Sequence, residues 1–155
     1  MNVLCELVQK YAPLAARILL AQLFIISGIG KIARFAGTAA YMAGVGLPAT
    51  TPLLVLTIAL EVGGGALLLA GWQTRWVAAA FCGFTLLASF IFHPFWNTDP
   101  ASAMSQLNNF MKNLAIMGGM LYVMAYGAGP LSLDRARANA AGAGGSPAAT
   151  KKRRN

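Results

Sequence analysis

The sequence predicts an all-α membrane protein, an antiparallel up-down four-transmembrane-helix bundle, and three observations carry that expectation. The 155-residue chain is 57% hydrophobic and 10% charged, where soluble domains average about 25% charged. Four mostly apolar stretches, at about 14–35, 52–71, 75–93 and 107–127, have the roughly 20 residues that a helix needs to cross about 30 Å of hydrocarbon. The segments between them are short and rich in helix breakers, which makes consecutive spans antiparallel neighbours.

The first span ends in "SGIGKIARF", Ser27–Phe35, whose Gly-x-Gly-Lys invites comparison with a phosphate-binding loop. Such a loop requires Gly at the position of Ile25 and Ser or Thr at that of Ile32, so the stretch is read as a helix end. No small-x-small cleavage pattern follows the apolar part, and the span is expected to be retained. At 100° per residue Arg17, Phe24, Gly28, Lys31 and Phe35 share one face, with Ser27 beside them. Ser27, Gly28 and Gly30 suit close helix packing, since small residues let backbones approach in lipid.

After the breaker-rich "GVGLPATTP", the second span carries Glu61 in the middle of "LVLTIALEVGGGALLLAG". An ionised group there costs at least about 2.5 kcal/mol, so Glu61 must face inward and be partnered or protonated. Thr57, Glu61, Gly64 and Leu68 share a face. Antiparallel packing puts Arg17 about 10 Å away in depth on one side and Lys31 about as far on the other. A structural ion pair of Arg17 with Glu61 is one expectation and pairing with Lys31 is the other.

The third span begins after the tight "GWQTR" and carries a mildly polar stripe, Cys82, Thr85, Ser89 and His93. Pro94 stops the helix and leaves Phe95 and Trp96 in the interfacial zone. Beyond "HPFWNTDP" the fourth span aligns Asn109, Asn113, Met117, Met120 and Met124, then ends at "GAGPLS". Residues 1–135 form the membrane domain, and 136–155, beginning "ANAAGAGG" and ending in "KKRR", read as a disordered basic tail.

Positive charge sets the orientation, because Lys and Arg near span ends stay cytoplasmic. With both termini inside, that side holds Lys10, Arg17, Arg75, Arg135, Arg137 and the terminal "KKRR", whereas the other holds Lys31, Arg34 and Lys112. The tail lacks base-reading chemistry, so no nucleic-acid partner is expected. Cys5 and Cys82 are isolated and the chain has a single histidine, which argues against a metal site, thiol redox chemistry or a bis-histidine haem. Neither inverted repeats nor paired broken helices suggest a transporter.

The predicted topology brings Lys31, His93, Asn109 and Asn113 to similar depth in the outer half, with Glu61 below them and Trp96 at the rim. Polar groups converging from several helices make a candidate ligand site. In order and spacing, "ARILLAQLFIISGIGKIARFAGTAAYM", "LEVGGGALLLAG", "GFTLLASFIFHPFW" and "FMKNLAIMGGMLYVMAYGAGPLSLD" resemble the DoxX family of small bacterial inner-membrane proteins over about Pro13–Asp134. The residues that match are Arg17, Ser27, Gly28, Lys31, Glu61, His93, Trp96, Lys112, Asn113 and Ser132–Asp134. The resemblance implies four transmembrane helices in the bacterial inner membrane and an association with redox physiology, since the family's namesake is linked to a quinol-oxidising, thiosulfate-oxidising archaeal system and other members to oxidative-stress complexes. It carries over no established catalytic residues. The expected function is a redox-associated subunit that binds a quinone or similar lipophilic ligand non-covalently through Lys31, Glu61, His93, Trp96, Asn109 and Asn113, with Phe95 or Trp96 covering the ring. Electrons would come from a protein partner, and a homo-oligomer is open. The alternative is a non-catalytic scaffold that recruits partner proteins.

Overall fold

The computed structural model describes residues 2–144, and among them there are helices and no strands. Helix α1 covers Val3–Ala33, α2 Phe35–Gly44, α3 Thr50–Ala70, α4 Thr74–Phe92, α5 Pro100–Tyr126 and α6 Leu133–Gly144. By length and composition α1, α3 and α4 can each cross a membrane. Helix α5 has the length at 27 residues, but Asn109, Lys112 and Asn113 dilute its apolar content.

Local chemistry explains where the helices differ from the expected spans. Helix α5 starts at Pro100 rather than near 107, because the Asp99 carboxylate accepts a hydrogen bond from the Ala101 N–H at 3.1 Å and proline suits the first helical turn. The chain leaves the α-helical region at Arg34, with φ −121°, and re-enters it as α2, a short helix within the expected connection. The tail expected to be structureless from 136 is helical as far as Gly144. The Ser132 hydroxyl accepts the Arg135 N–H at 3.2 Å, and the alanines that follow are the best helix formers. The "KKRR" end of that tail lies outside the described residues.

Helices α1 and α3 pair along their lengths in opposite directions, with Arg17 near Gly71, Ile25 near Gly65 and Gly28 near Val62. Missing side chains permit this approach: a Cβ on Gly65 would sit 2.6 Å from Ile25 and one on Gly28 2.7 Å from Val62. Helices α4 and α5 pair through contacts such as His93 with Gln106 and Phe90 with Phe110. The two pairs meet in a core of Ala21, Phe24, Leu68, Val77, Ala78, Phe81, Met120 and Val123. Phe24 and Phe81 stack at its centre with ring centroids 3.8 Å apart.

One end of the assembly is closed by polar contacts. The buried Arg17 guanidinium donates to the carbonyl oxygens of Leu68 at 3.3 Å and Leu69 at 2.9 Å, and to that of Leu131. Carbonyls in the last turn of a helix lack their full set of intrahelical donors; that of Leu69, and that of Leu68 alongside the Gly71 N–H at 3.2 Å, take up the guanidinium. The expected Arg17–Glu61 ion pair is therefore corrected: Glu61 lies about 10 Å further along α3 from Leu68. Asp134 caps the start of α4, accepting from the N–H groups of Gln73 at 2.8 Å and Thr74 at 3.0 Å. Burial pushes the Asp134 carboxyl up, but the hydrogen bonds from Thr74 and Gln73 and the Arg17 charge outweigh it and hold the group below the usual carboxylate range.

Gly71 joins these contacts at φ +71°, where a Cβ would strike both the Arg17 guanidinium and Ser132. Gly71→Ala is expected to cost about 1–3 kcal/mol through strain and displacement of Arg17. Thermal unfolding in detergent measures this, and Gly63→Ala, with open space at its Cβ, should be nearly silent.

Candidate functional site

Toward the end opposite Arg17, the same helices surround a cavity of about 310 Å³. Its walls are aromatic and aliphatic, with Phe24 from α1, Phe84 and Phe92 from α4 and Ile116 from α5. Lys31, Thr57, Glu61, Thr85, His93 and Asn113 supply most of its polar atoms. The cavity lies between the α1–α3 pair and the α4–α5 pair, so each helix pair contributes one wall.

Glu61 is 3% exposed and sits in a π-helical turn, Ala59–Gly64, within α3. Single π-turns inside α-helices are frequent at functional sites. The Lys31 ammonium donates to both carboxylate oxygens at 2.8 Å and to the Ser27 hydroxyl at 2.7 Å, while that hydroxyl donates to Glu61 Oε1 at 3.1 Å. Three N–H groups thus meet three acceptors. The network is complete within itself, and it neutralises the one carboxylate at this depth.

Across the cavity the His93 ring Nδ1 lies 2.8 Å from the Gln106 side-chain oxygen. An amide oxygen accepts, so Nδ1 is the donor of this contact. Thr85 is 4% exposed and its hydroxyl oxygen has no hydrogen-bond partner. A buried hydroxyl without a partner costs about 1–3 kcal/mol, and among the described residues Thr85 is the one in this lining that carries such a group.

Of the residues expected to bind a ligand, Lys31, Glu61, His93 and Asn113 line the cavity together. Asn109 and Trp96 are not among its lining residues. Trp96 is 54% exposed and belongs to an aromatic cluster with Phe90, Phe95 and Phe110, at centroid distances of 5.7, 5.0 and 5.9 Å. Thr38, Tyr41 and Met42 of α2 join the lining, and Tyr41 stacks on Phe92 at 5.6 Å. Sequence reasoning missed them because it placed no helix there. The alternation of small and aromatic residues in "FAGTAAYMAG" was the available signal.

The sequence model of the DoxX family matches residues 12–94, which is over half of the chain. The chain belongs to the DoxX family. It is similar to the inner membrane protein YqjF of Escherichia coli strain K12, 46% identical over 122 residues that cover 79% of this chain and 88% of that protein. The inner membrane protein YphA of the same strain is 35% identical over 122 residues, covering 79% and 87%. No solved structure matches. This DoxX protein is thus an integral inner-membrane protein, and the family match includes Ser27, Lys31, Glu61, Thr85 and His93 while stopping short of Asn113.

Removing Glu61 should expose the pairing energetically. Glu61→Gln strands the Lys31 ammonium, whose side chain is 25% exposed, and this partial exposure brings the expected loss to about 1–3 kcal/mol, below the 3–5 kcal/mol of a fully buried pair. Lys31→Met added to Glu61→Gln should recover much of that loss. Additive losses in this double-mutant cycle, read by thermal unfolding, would separate the two side chains.

Proposed function

We propose that this DoxX protein is a four-span antiparallel bundle with both termini cytoplasmic, and that it binds a quinone or a similar single-ring lipophilic ligand in the cavity of the outer half, as a redox-associated subunit. The observation that carries the reading is a cavity of about 310 Å³ with aromatic walls and the unpartnered Thr85 hydroxyl. That volume is at the low end of ligand sites, which run from about 300 to 1,000 Å³, and suits one substituted ring.

In this reading Phe24, Phe84 and Phe92 contact the ring faces and edges, and the Thr85 hydroxyl and the Asn113 amide donate to ligand oxygen. His93 Nε2 accepts from a ligand hydroxyl. Lys31 reaches the ligand only by giving up Ser27 or one oxygen of Glu61, and Glu61 is then the carboxylate placed to take or release a proton. Quinones supply two-electron chemistry when bound, and a protein partner supplies or receives the electrons. A charge bias of Lys10, Arg17, Arg75, Arg135 and Arg137 against Lys31, Arg34 and Lys112 supports the orientation.

The self-contained Lys31–Ser27–Glu61 network favours a second reading, in which the polar residues lock the helices of a non-catalytic scaffold that recruits partner proteins. Ligand-dependent stability separates the two. A short-tailed benzoquinone should raise the melting temperature of the detergent-purified protein by a saturable amount, about 2.7 kcal/mol of stabilisation at a hundredfold excess over Kd. Thr85→Val, His93→Phe and Asn113→Leu should each fold and each weaken the response. A melting temperature that does not move with quinone in the wild type would overturn the ligand reading and leave the scaffold.

A further inference from the structure

At the end of the molecule closed by Arg17, a surface-open cavity of about 660 Å³ collects residues from four helices and a loop. Gln9 comes from α1, Arg75 from α4, Tyr126 from α5, Ser132 from the following loop, and Asp134 and Arg135 from the start of α6. We infer that this cavity binds the phosphodiester of an anionic phospholipid. The inference requires the membrane setting of the chain and is independent of what occupies the other cavity.

The two guanidinium groups are the first reason. Neither Arg75 nor Arg135 makes a side-chain hydrogen bond or ion pair among the described residues, where the one ion pair joins Lys31 to Glu61. Arg75 is positioned by the fold: its guanidinium lies along Gly127, where a Cβ would be 3.5 Å from Nε and 3.7 Å from Nη2. Gly127 adopts φ +83°, so the turn that ends α5 brings this bare stretch of backbone under the arginine. The planar guanidinium fork matches the paired oxygens of a phosphate better than an ammonium does.

Charge balance is the second reason. Asp134 also lines the cavity, but its oxygens are engaged by the N–H groups of Gln73 and Thr74 at 2.8 and 3.0 Å. Two arginines against one carboxylate leave the cavity with a single positive charge, complementary to the single negative charge of a phosphodiester. The N–H groups that open α4 are already taken by Asp134, so the anion is held by side chains.

The depth of the cavity separates a lipid from a soluble phosphate. Trp76, 76% exposed, follows Arg75 directly, and Tyr126, 71% exposed, belongs to the lining itself. Exposed Trp and Tyr rings of this kind mark the headgroup level of a bilayer. Basic pockets between helices at that level suit anionic headgroups. Below it, exposed apolar side chains such as Leu86 and Leu87 on α4 and Leu121 on α5 offer a surface for acyl chains.

Native mass spectrometry of the full chain, released from detergent with phosphatidylglycerol or phosphatidylcholine of equal chain composition, tests this. Wild type should retain phosphatidylglycerol over phosphatidylcholine by about 10-fold or more. Arg75→Gln with Arg135→Gln should abolish the preference, each single change should lower it in part, and Arg137→Gln, outside the cavity, should leave it intact. The single variants keep the test decisive if the double variant misfolds. Equal retention of the two lipids by wild type, or an equal loss in Arg137→Gln, would overturn the inference. Displacement of phosphatidylglycerol by millimolar inorganic phosphate would assign the cavity to a soluble anion and overturn the lipid reading as well.

Discussion

The ion pair between Lys31 and Glu61 is the constraint to which the half of the molecule opposite Arg17 answers. A carboxylate at mid-span is too costly to leave alone, and the chain neutralises it from the neighbouring helix at 2.8 Å. That contact needs α1 and α3 to lie close together, which Gly28 permits against Val62 and Glu61. It also needs Glu61 to face α1, and the π-turn over Ala59–Gly64 supplies the change of helical phase. Ser27, one turn from Lys31, completes the hydrogen bonding that the pair alone would leave unfinished.

The two halves of the bundle solve different problems. Near the end closed by Arg17, the core residues Leu68, Val77, Phe81 and Met120 are packed with little or no exposure, and the helix-end carbonyls and N–H groups are satisfied by Arg17 and Asp134. In the opposite half the α1–α3 pair and the α4–α5 pair stay apart enough to leave a cavity. Its polar atoms are finished on one wall, at Lys31, Ser27 and Glu61, and unfinished on the other, at Thr85. A ligand site needs a rigid frame and a few unsatisfied groups, and this division provides both within one small bundle.

Much of this was legible in the sequence. Span lengths and breakers located α1, α3 and α4, and the depth of Glu61 marked it as a partnered residue. Helical phase and antiparallel topology brought Lys31, Glu61, His93 and Asn113 to one place. The choice between Arg17 and Lys31 was not legible, because both lie on one face of α1 at similar distances in depth from Glu61. The backbone carbonyls of Leu68, Leu69 and Leu131 decide it by accepting from Arg17, and backbone groups leave no trace in side-chain periodicity. Helix α2 lies in what reads as a connection, so Thr38 and Tyr41 went unseen. Asn109 and Trp96 were placed by depth alone, a coordinate that ignores azimuth, and Trp96 packs instead with Phe90, Phe95 and Phe110.

The central claim is direct contact between the Lys31 ammonium and the Glu61 carboxylate in the membrane. The chain has two glutamates, Glu6 and Glu61, so labelling lysine Nζ with nitrogen-15 and glutamate Cδ with carbon-13 leaves few signals to resolve. Rotational-echo double-resonance NMR of the labelled protein in lipid bilayers reads the dipolar coupling between them. The account predicts strong dephasing of one carboxylate carbon, from a nitrogen within about 4 Å of its oxygens, and loss of that signal in Glu61→Gln. A Glu61 carboxylate that shows no dephasing from lysine nitrogen in the wild type would contradict it.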